Sequence, residues 1–200
     1  MTFATAAARV TVAAAIAAMV ATPPAFCQGT PAQAGTTPPA SPVAVANPTY
    51  VAVELEIDVN RPAAEVWTRV GKFCDLGAWL RTTCAITAGR DGELGAVRRV
   101  GGRLNEVLVG KTLLSYTYVI PVQEGRPYNL YHGTLEARPV SGETSKLLYT
   151  IFFDNSMLAD DAARKADIES RRERFTQALR NMKTIAEGGT LPAAPPGNVR

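Results

Sequence analysis

Ile168-Glu-Ser-Arg-Arg-Glu-Arg-Phe175-Thr-Gln-Ala-Leu179-Arg-Asn-Met182-Lys-Thr-Ile185 spaces five apolar side chains by seven, four, three and three residues. That period draws one apolar stripe along a helix, with Arg171, Arg172, Arg174, Arg180 and Lys183 on its other, solvated faces. The pattern predicts a helix over Leu158 to Glu187, stopped by Gly188-Gly189 and then Pro192. A lone striped helix must bury its stripe, so everything upstream is read for a surface that can receive it.

That surface is a sheet. Tyr50-Val-Ala-Val-Glu-Leu-Glu-Ile-Asp-Val59 alternates apolar and acidic residues, as a half-buried antiparallel strand does. Asn60 is the expected N-cap of a short helix with Pro62 in its first turn, Val66, Trp67 and Val70 on its apolar side and Gly71 at its end. Phe73, Leu76, Trp79 and Leu80 predict a second short helical turn. Further strands are expected at Cys84 to Ala88, Gly95 to Val100, Leu104 to Val109, Leu113 to Ile120, Tyr128 to Ala137 and Lys146 to Asp154. Their connections are short and carry turn residues such as Gly101-Gly102 and Gln123-Glu-Gly-Arg-Pro127, which favours successive hairpins. The predicted fold is α+β: a seven-stranded curved antiparallel sheet around a long C-terminal helix, with two short helices after the first strand.

The two ends read differently. Arg9, the apolar run Val10 to Val20 and the exit Ala25-Phe26-Cys27 have the regions of a secretory signal peptide, expected over residues 1–27. The apolar run is too short to span a membrane; a retained anchor or a lipid-modified Cys27 are the other readings. Residues 28–48 form a Pro/Ala-rich linker and 188–200 a tail of similar composition, leaving a domain over 49–187. Export places the protein in the periplasm or outside the cell, where Cys74 and Cys84 form a disulfide or else remain two buried thiols. The net charge of +3 is small, and no basic stripe interleaved with aromatics supports nucleic-acid binding. No metal-ligand cluster or cofactor-binding loop is present, and the sequence is silent on oligomeric state.

Several segments resemble a known superfamily, the START-like or SRPBCC helix-grip domains, which include Bet v 1-like and polyketide cyclase/dehydrase-like members. Asn60-Arg-Pro-Ala-Ala-Glu-Val-Trp67 is similar to the first helix, and Phe73-Cys-Asp-Leu-Gly-Ala-Trp79 to the second. Gly95-Ala-Val-Arg98, Leu104-Asn-Glu-Val-Leu108 and Ser115-Tyr-Thr-Tyr118 resemble the strands that follow. Leu80-Arg81 stands where many members carry a His-Pro-like pair, and Tyr131-His-Gly-Thr-Leu135 with the two cysteines suggests an exported subgroup. The resemblance implies a small hydrophobic ligand (a lipid, polyketide or aromatic) held between sheet and helix. It implies catalysis only for some members.

On that basis strand alternation nominates Tyr116, Tyr118, Tyr149, Ile151 and Phe153 as cavity lining, the helix adds Phe175, Leu179 and Met182, and Trp79 closes one end. Glu106 alternates with Leu104 and Leu108, so it is expected to point inward and to need a partner such as Arg98 or Arg103. Glu106 and His132 are the candidate acid/base groups, although His132 faces away from Tyr131, Gly133 and Leu135 and lacks a second histidine. Three functions compete: an envelope carrier of an apolar molecule, a cyclase or dehydratase working through Glu106, Tyr116 or His132, and a cavity-poor structural module. An enclosed volume of about 300–1,000 Å³ favours the first.

Overall fold

A computed structural model describes residues 47–122 and 128–193. The expected leader, nearly all of the linker, the turn at 123–127 and the end of the tail lie outside the described residues. β1 (Tyr50–Val59) leads into α1 (Ala63–Val70), a 3-10 turn (Phe73–Asp75) and α2 (Leu76–Leu80). Six strands follow: β2 (Cys84–Ala88), β3 (Val97–Val100), β4 (Leu104–Lys111), β5 (Ser115–Val119), β6 (Asn129–Pro139) and β7 (Ser145–Asp154). The chain closes with α3 (Asp161–Ala186). All neighbouring strands pair antiparallel in the order β1-β7-β6-β5-β4-β3-β2. Register shifts interrupt the ladders in β2, β4 and β6; such bulges bend strands, and the sheet curves around α3.

Side-chain alternation puts Tyr116, Tyr118, Tyr131, Leu135, Tyr149, Ile151 and Phe153 on the concave face, all buried. Phe175, Leu179 and Met182 of α3 are buried with them, and the Phe175 ring sits 4.7 Å from that of Tyr149. Ile168 and Ile185, at the ends of the stripe, are only half-buried. Trp79 is fully buried; its indole donates to the Val70 carbonyl, and Asn181 of α3 donates to the Trp79 carbonyl at 2.8 Å. A Cys74–Cys84 disulfide ties the 3-10 turn to the first residue of the edge strand β2.

The helix ends differ from the sequence reading. Pro62, not Asn60, occupies the N-cap of α1 and offers no side-chain cap. Asn60 instead donates its backbone N–H to Glu187 at the far end of α3, at 2.9 Å. α3 begins three residues later than expected, because Asp160 caps it by accepting the Ala163 N–H at 2.8 Å. Gly71 does end α1, but with an ordinary negative φ; what demands glycine is Trp67, whose ring would lie 2.3 Å from an added Cβ. Among the tail residues, the Pro192 carbonyl accepts from Arg81, itself in the left-handed region at φ 58°.

Candidate functional site

The floor of the site is a charged pair inside an apolar sheet. Arg98 on β3 and Glu106 on β4 are direct cross-strand partners facing inward, 0% and 4% exposed. Arg98 Nε donates to Glu106 Oε2 at 2.6 Å; Nη2 lies equally close to the same oxygen as an ion-pair contact without hydrogen-bond alignment. Nη1 donates to the Phe73 carbonyl and, at 3.3 Å, to the Tyr116 hydroxyl. The guanidinium carbon lies over the rings of Phe73 at 4.0 Å and Tyr118 at 4.8 Å. Glu106 Oε1 accepts no hydrogen bond among the described residues.

Burial pushes the Glu106 carboxyl above the usual carboxylate range, while the ion pair and hydrogen bond from Arg98 pull it back. Burial opposes the charge on Arg98, yet nearby Tyr116 and Glu106 hold it above its ordinary range. A guanidinium does not give up its proton in a protein, so Arg98 supplies the buried carboxyl with a permanent counter-charge. Burial also holds the phenols of Tyr116, Tyr118 and Tyr149 above their usual range and pushes Tyr131 up to about 12. These hydroxyls therefore act as neutral hydrogen-bonding groups. Tyr118 and Tyr149 bond each other at 2.9 Å, an arrangement that needs Gly133: a Cβ there would fall 2.4 Å from the Tyr118 hydroxyl.

Above this floor, between the concave face and the first half of α3, lies a cavity of about 240 Å³. Glu106 and Tyr118 line its base; Leu76, Leu80, Val100, Leu104, Ile120 and Phe175 supply apolar walls. Tyr128, Tyr131, Asp167, Ser170, Arg171 and Arg174 complete the lining. Arg171 is anchored by Asp167 at 2.9 Å and lies over the rings of Phe153, Tyr128 and Tyr131 at 4.5, 5.0 and 5.2 Å. Reading the α3 arginines as a solvated face therefore needs correction for Arg171, whose side chain is only 16% exposed.

Of the residues nominated from sequence, Glu106, Tyr118 and Phe175 line this cavity. Tyr116 lines a separate cleft beneath α1. Trp79, Tyr149, Ile151, Phe153, Leu179 and Met182 pack into the core and are absent from the lining of either space. His132 lies on the convex face: its ring is 6.3 Å from that of Phe152, and Nδ1 is 2.6 Å from the Leu130 carbonyl oxygen. It does not meet Glu106. Tyr128, Tyr131, Asp167, Ser170, Arg171 and Arg174 went unnominated; for Tyr131 the signal was present, since it shares the face of Gly133 and Leu135.

A family model described as polyketide cyclase / dehydrase and lipid transport matches residues 50–187. Solved structures share the fold at low identity. A protein from Thermobifida fusca is 21% identical with a TM-score of 0.58, covering 72% of this chain and 99% of its own. The Zhui aromatase/cyclase from Streptomyces sp. R1128 is 18% identical with a TM-score of 0.55, covering 71% of this chain and 100% of its own. Truncated norcoclaurine synthase from Thalictrum flavum is 12% identical with a TM-score of 0.56, covering 74% and 99%. No curated protein matches the chain in sequence.

Proposed function

The chain belongs to the polyketide cyclase / dehydrase and lipid transport family, and from that premise we propose that it binds one small, mostly apolar molecule beneath α3, with Glu106 orienting the molecule's polar end. The observation that carries this reading is the half-used carboxylate. Both contacts from Arg98 fall on Oε2, while Oε1 belongs to a residue that lines the cavity and accepts no hydrogen bond among the described residues. An entering hydroxyl or amine would satisfy that oxygen, and the tyrosine and leucine walls would take the apolar body. At about 240 Å³ the space falls short of the 300–1,000 Å³ expected of a carrier, and suits a one- or two-ring molecule or a short acyl chain, not a sterol or diacyl lipid. The disulfide supports function in an oxidising compartment such as the cell envelope.

Native mass spectrometry of protein purified from its exported fraction tests this, followed by extraction of the bound compound. A stoichiometric apolar compound of low mass, lost in Ser170→Trp, whose larger side chain at the exposed lip blocks the cavity mouth, is the expected result. Wild-type protein that carries and takes up nothing would leave the cavity-poor structural module standing. An acid/base activity on a polyketide-like substrate is a second reading. It rests on Glu106 as acceptor beside the protonated phenols of Tyr118 and Tyr131, not on His132.

A further inference from the structure

A second cleft opens on the other side of Arg98, and nothing in the first site uses it. It has a volume of about 610 Å³ and lies between the end of α1, the β2–β3 loop and the β4–β5 hairpin. Its inner surface is aromatic and apolar: Trp67, Phe73, Tyr116 and Leu108. The Tyr116 ring is 5.8 Å from that of Trp67 and meets the Phe73 ring edge-on at 5.5 Å. Trp67 is only half-buried, and its indole lies against the bare backbone of Gly71. Arg98 forms the partition, touching Phe73 and Tyr116 on this side and Glu106 and Tyr118 on the other.

The rim is charged. Lys111 is held over the cleft by its bond to the Gly92 carbonyl at 2.6 Å, and Lys72 lines the wall beside Phe73. Neither ammonium makes an ion pair among the described residues. Asp91 is the one carboxylate in the lining; the nearby Asp75 lies outside it and accepts the Lys72 backbone N–H at 2.9 Å. The lining thus carries two positive charges against one negative. We propose that this cleft is a second binding site, separate from the cavity beneath α3, for a flat aromatic monoanion. The rings of Trp67, Phe73 and Tyr116 take its face and edge, and Lys72 and Lys111 take its carboxylate.

The test uses 2-naphthoate and its uncharged analogue 2-naphthamide on the whole protein at low ionic strength. The readouts are calorimetry and the indole N–H resonances of the two tryptophans. The expected result is saturable binding of naphthoate that shifts Trp67 and leaves the buried Trp79 in place. Naphthamide should bind about tenfold more weakly, and replacing both exposed lysines by alanine should weaken naphthoate by about the same factor. Thr68→Trp, which fills the cleft from α1, should abolish the response, while Ser170→Trp, which blocks only the cavity under α3, should leave it intact. Equal affinity for the acid and the amide, full binding without the lysines, or a response that disappears with Ser170→Trp would each overturn the proposal. The Ser170→Trp arm separates this site from the first, since either can fail alone.

Discussion

Replacing Glu106 by leucine should be among the most damaging single changes to this fold. The substitution leaves the Arg98 guanidinium fully buried, with only the Phe73 carbonyl and the Tyr116 hydroxyl as acceptors. Removing one partner of a buried ion pair costs about 3–5 kcal/mol, because the remaining charge has lost both water and counter-charge. For a domain of this size each kcal/mol lowers Tm by roughly 3–4 °C, so a fall of roughly 10–20 °C is expected. Arg98→Met alone should cost a comparable amount by stranding the carboxylate. The double variant, Arg98→Met with Glu106→Leu, should recover most of the loss, since apolar side chains of similar volume can replace a buried pair at little or no cost. Urea denaturation of the four proteins at neutral pH closes the cycle. A coupling energy of several kcal/mol is predicted; independent sites would give less than about 0.5 kcal/mol. Two single variants whose losses simply add would refute the electrostatic account of the cavity floor.

Three further outcomes follow from particular contacts. Neither Cys74 nor Cys84 should alkylate before reduction, and reduction should cost about 2–3 kcal/mol, the loop-closure entropy of a short bridge, read as a lower urea midpoint. Gly71→Ala should destabilise by about 1–3 kcal/mol, because its Cβ would sit 2.3 Å from the Trp67 ring and 2.6 Å from the Trp67 carbonyl; unchanged stability would contradict the packing described at α1. Glu187 is held below its usual range by hydrogen bonds from Lys183 and the Asn60 backbone. Its contribution is present above the ordinary carboxylate range and is lost as pH falls through the lowered value. Glu187→Gln should therefore cost a few tenths of a kcal/mol at pH 7, screened as an exposed pair is, and nothing at low pH; a penalty that persists in acid would contradict the assignment.

The sequence carried the fold because its strongest signals are periodic. The α3 stripe and the alternation of β1 each require a buried face, and hairpin-length connections leave few ways to supply one. Helix starts were less legible, since Asn60 and Asp160 are both acceptable caps and only tertiary geometry decides; Asn60 is drawn to Glu187 instead. Glu106 was readable as an inward carboxylate from strand parity alone, with Arg98 or Arg103 as its partner; the β3–β4 register, which pairs Arg98 with Glu106, makes the choice. The walls of the cavity were not. Whether an inward residue lines a void or fills the core depends on where α3 lifts from the sheet, and side-chain periodicity is blind to that height. Tyr118 and Tyr149 share one face and bond each other, yet only Tyr118 meets the cavity. Arg171 was misread for a related reason: on a helical wheel it looks solvated, and only the docked helix brings it over Phe153 and Tyr131.

What occupies the space beneath α3 decides most directly whether this protein binds a small molecule there. A crystal structure of protein taken from its own exported fraction should contain continuous density for a small molecule between Phe175 and the sheet, with a polar atom within hydrogen-bond distance of Glu106 Oε1. Side chains closed over that space, with Glu106 turned away and both of its oxygens bound to Arg98, would contradict it.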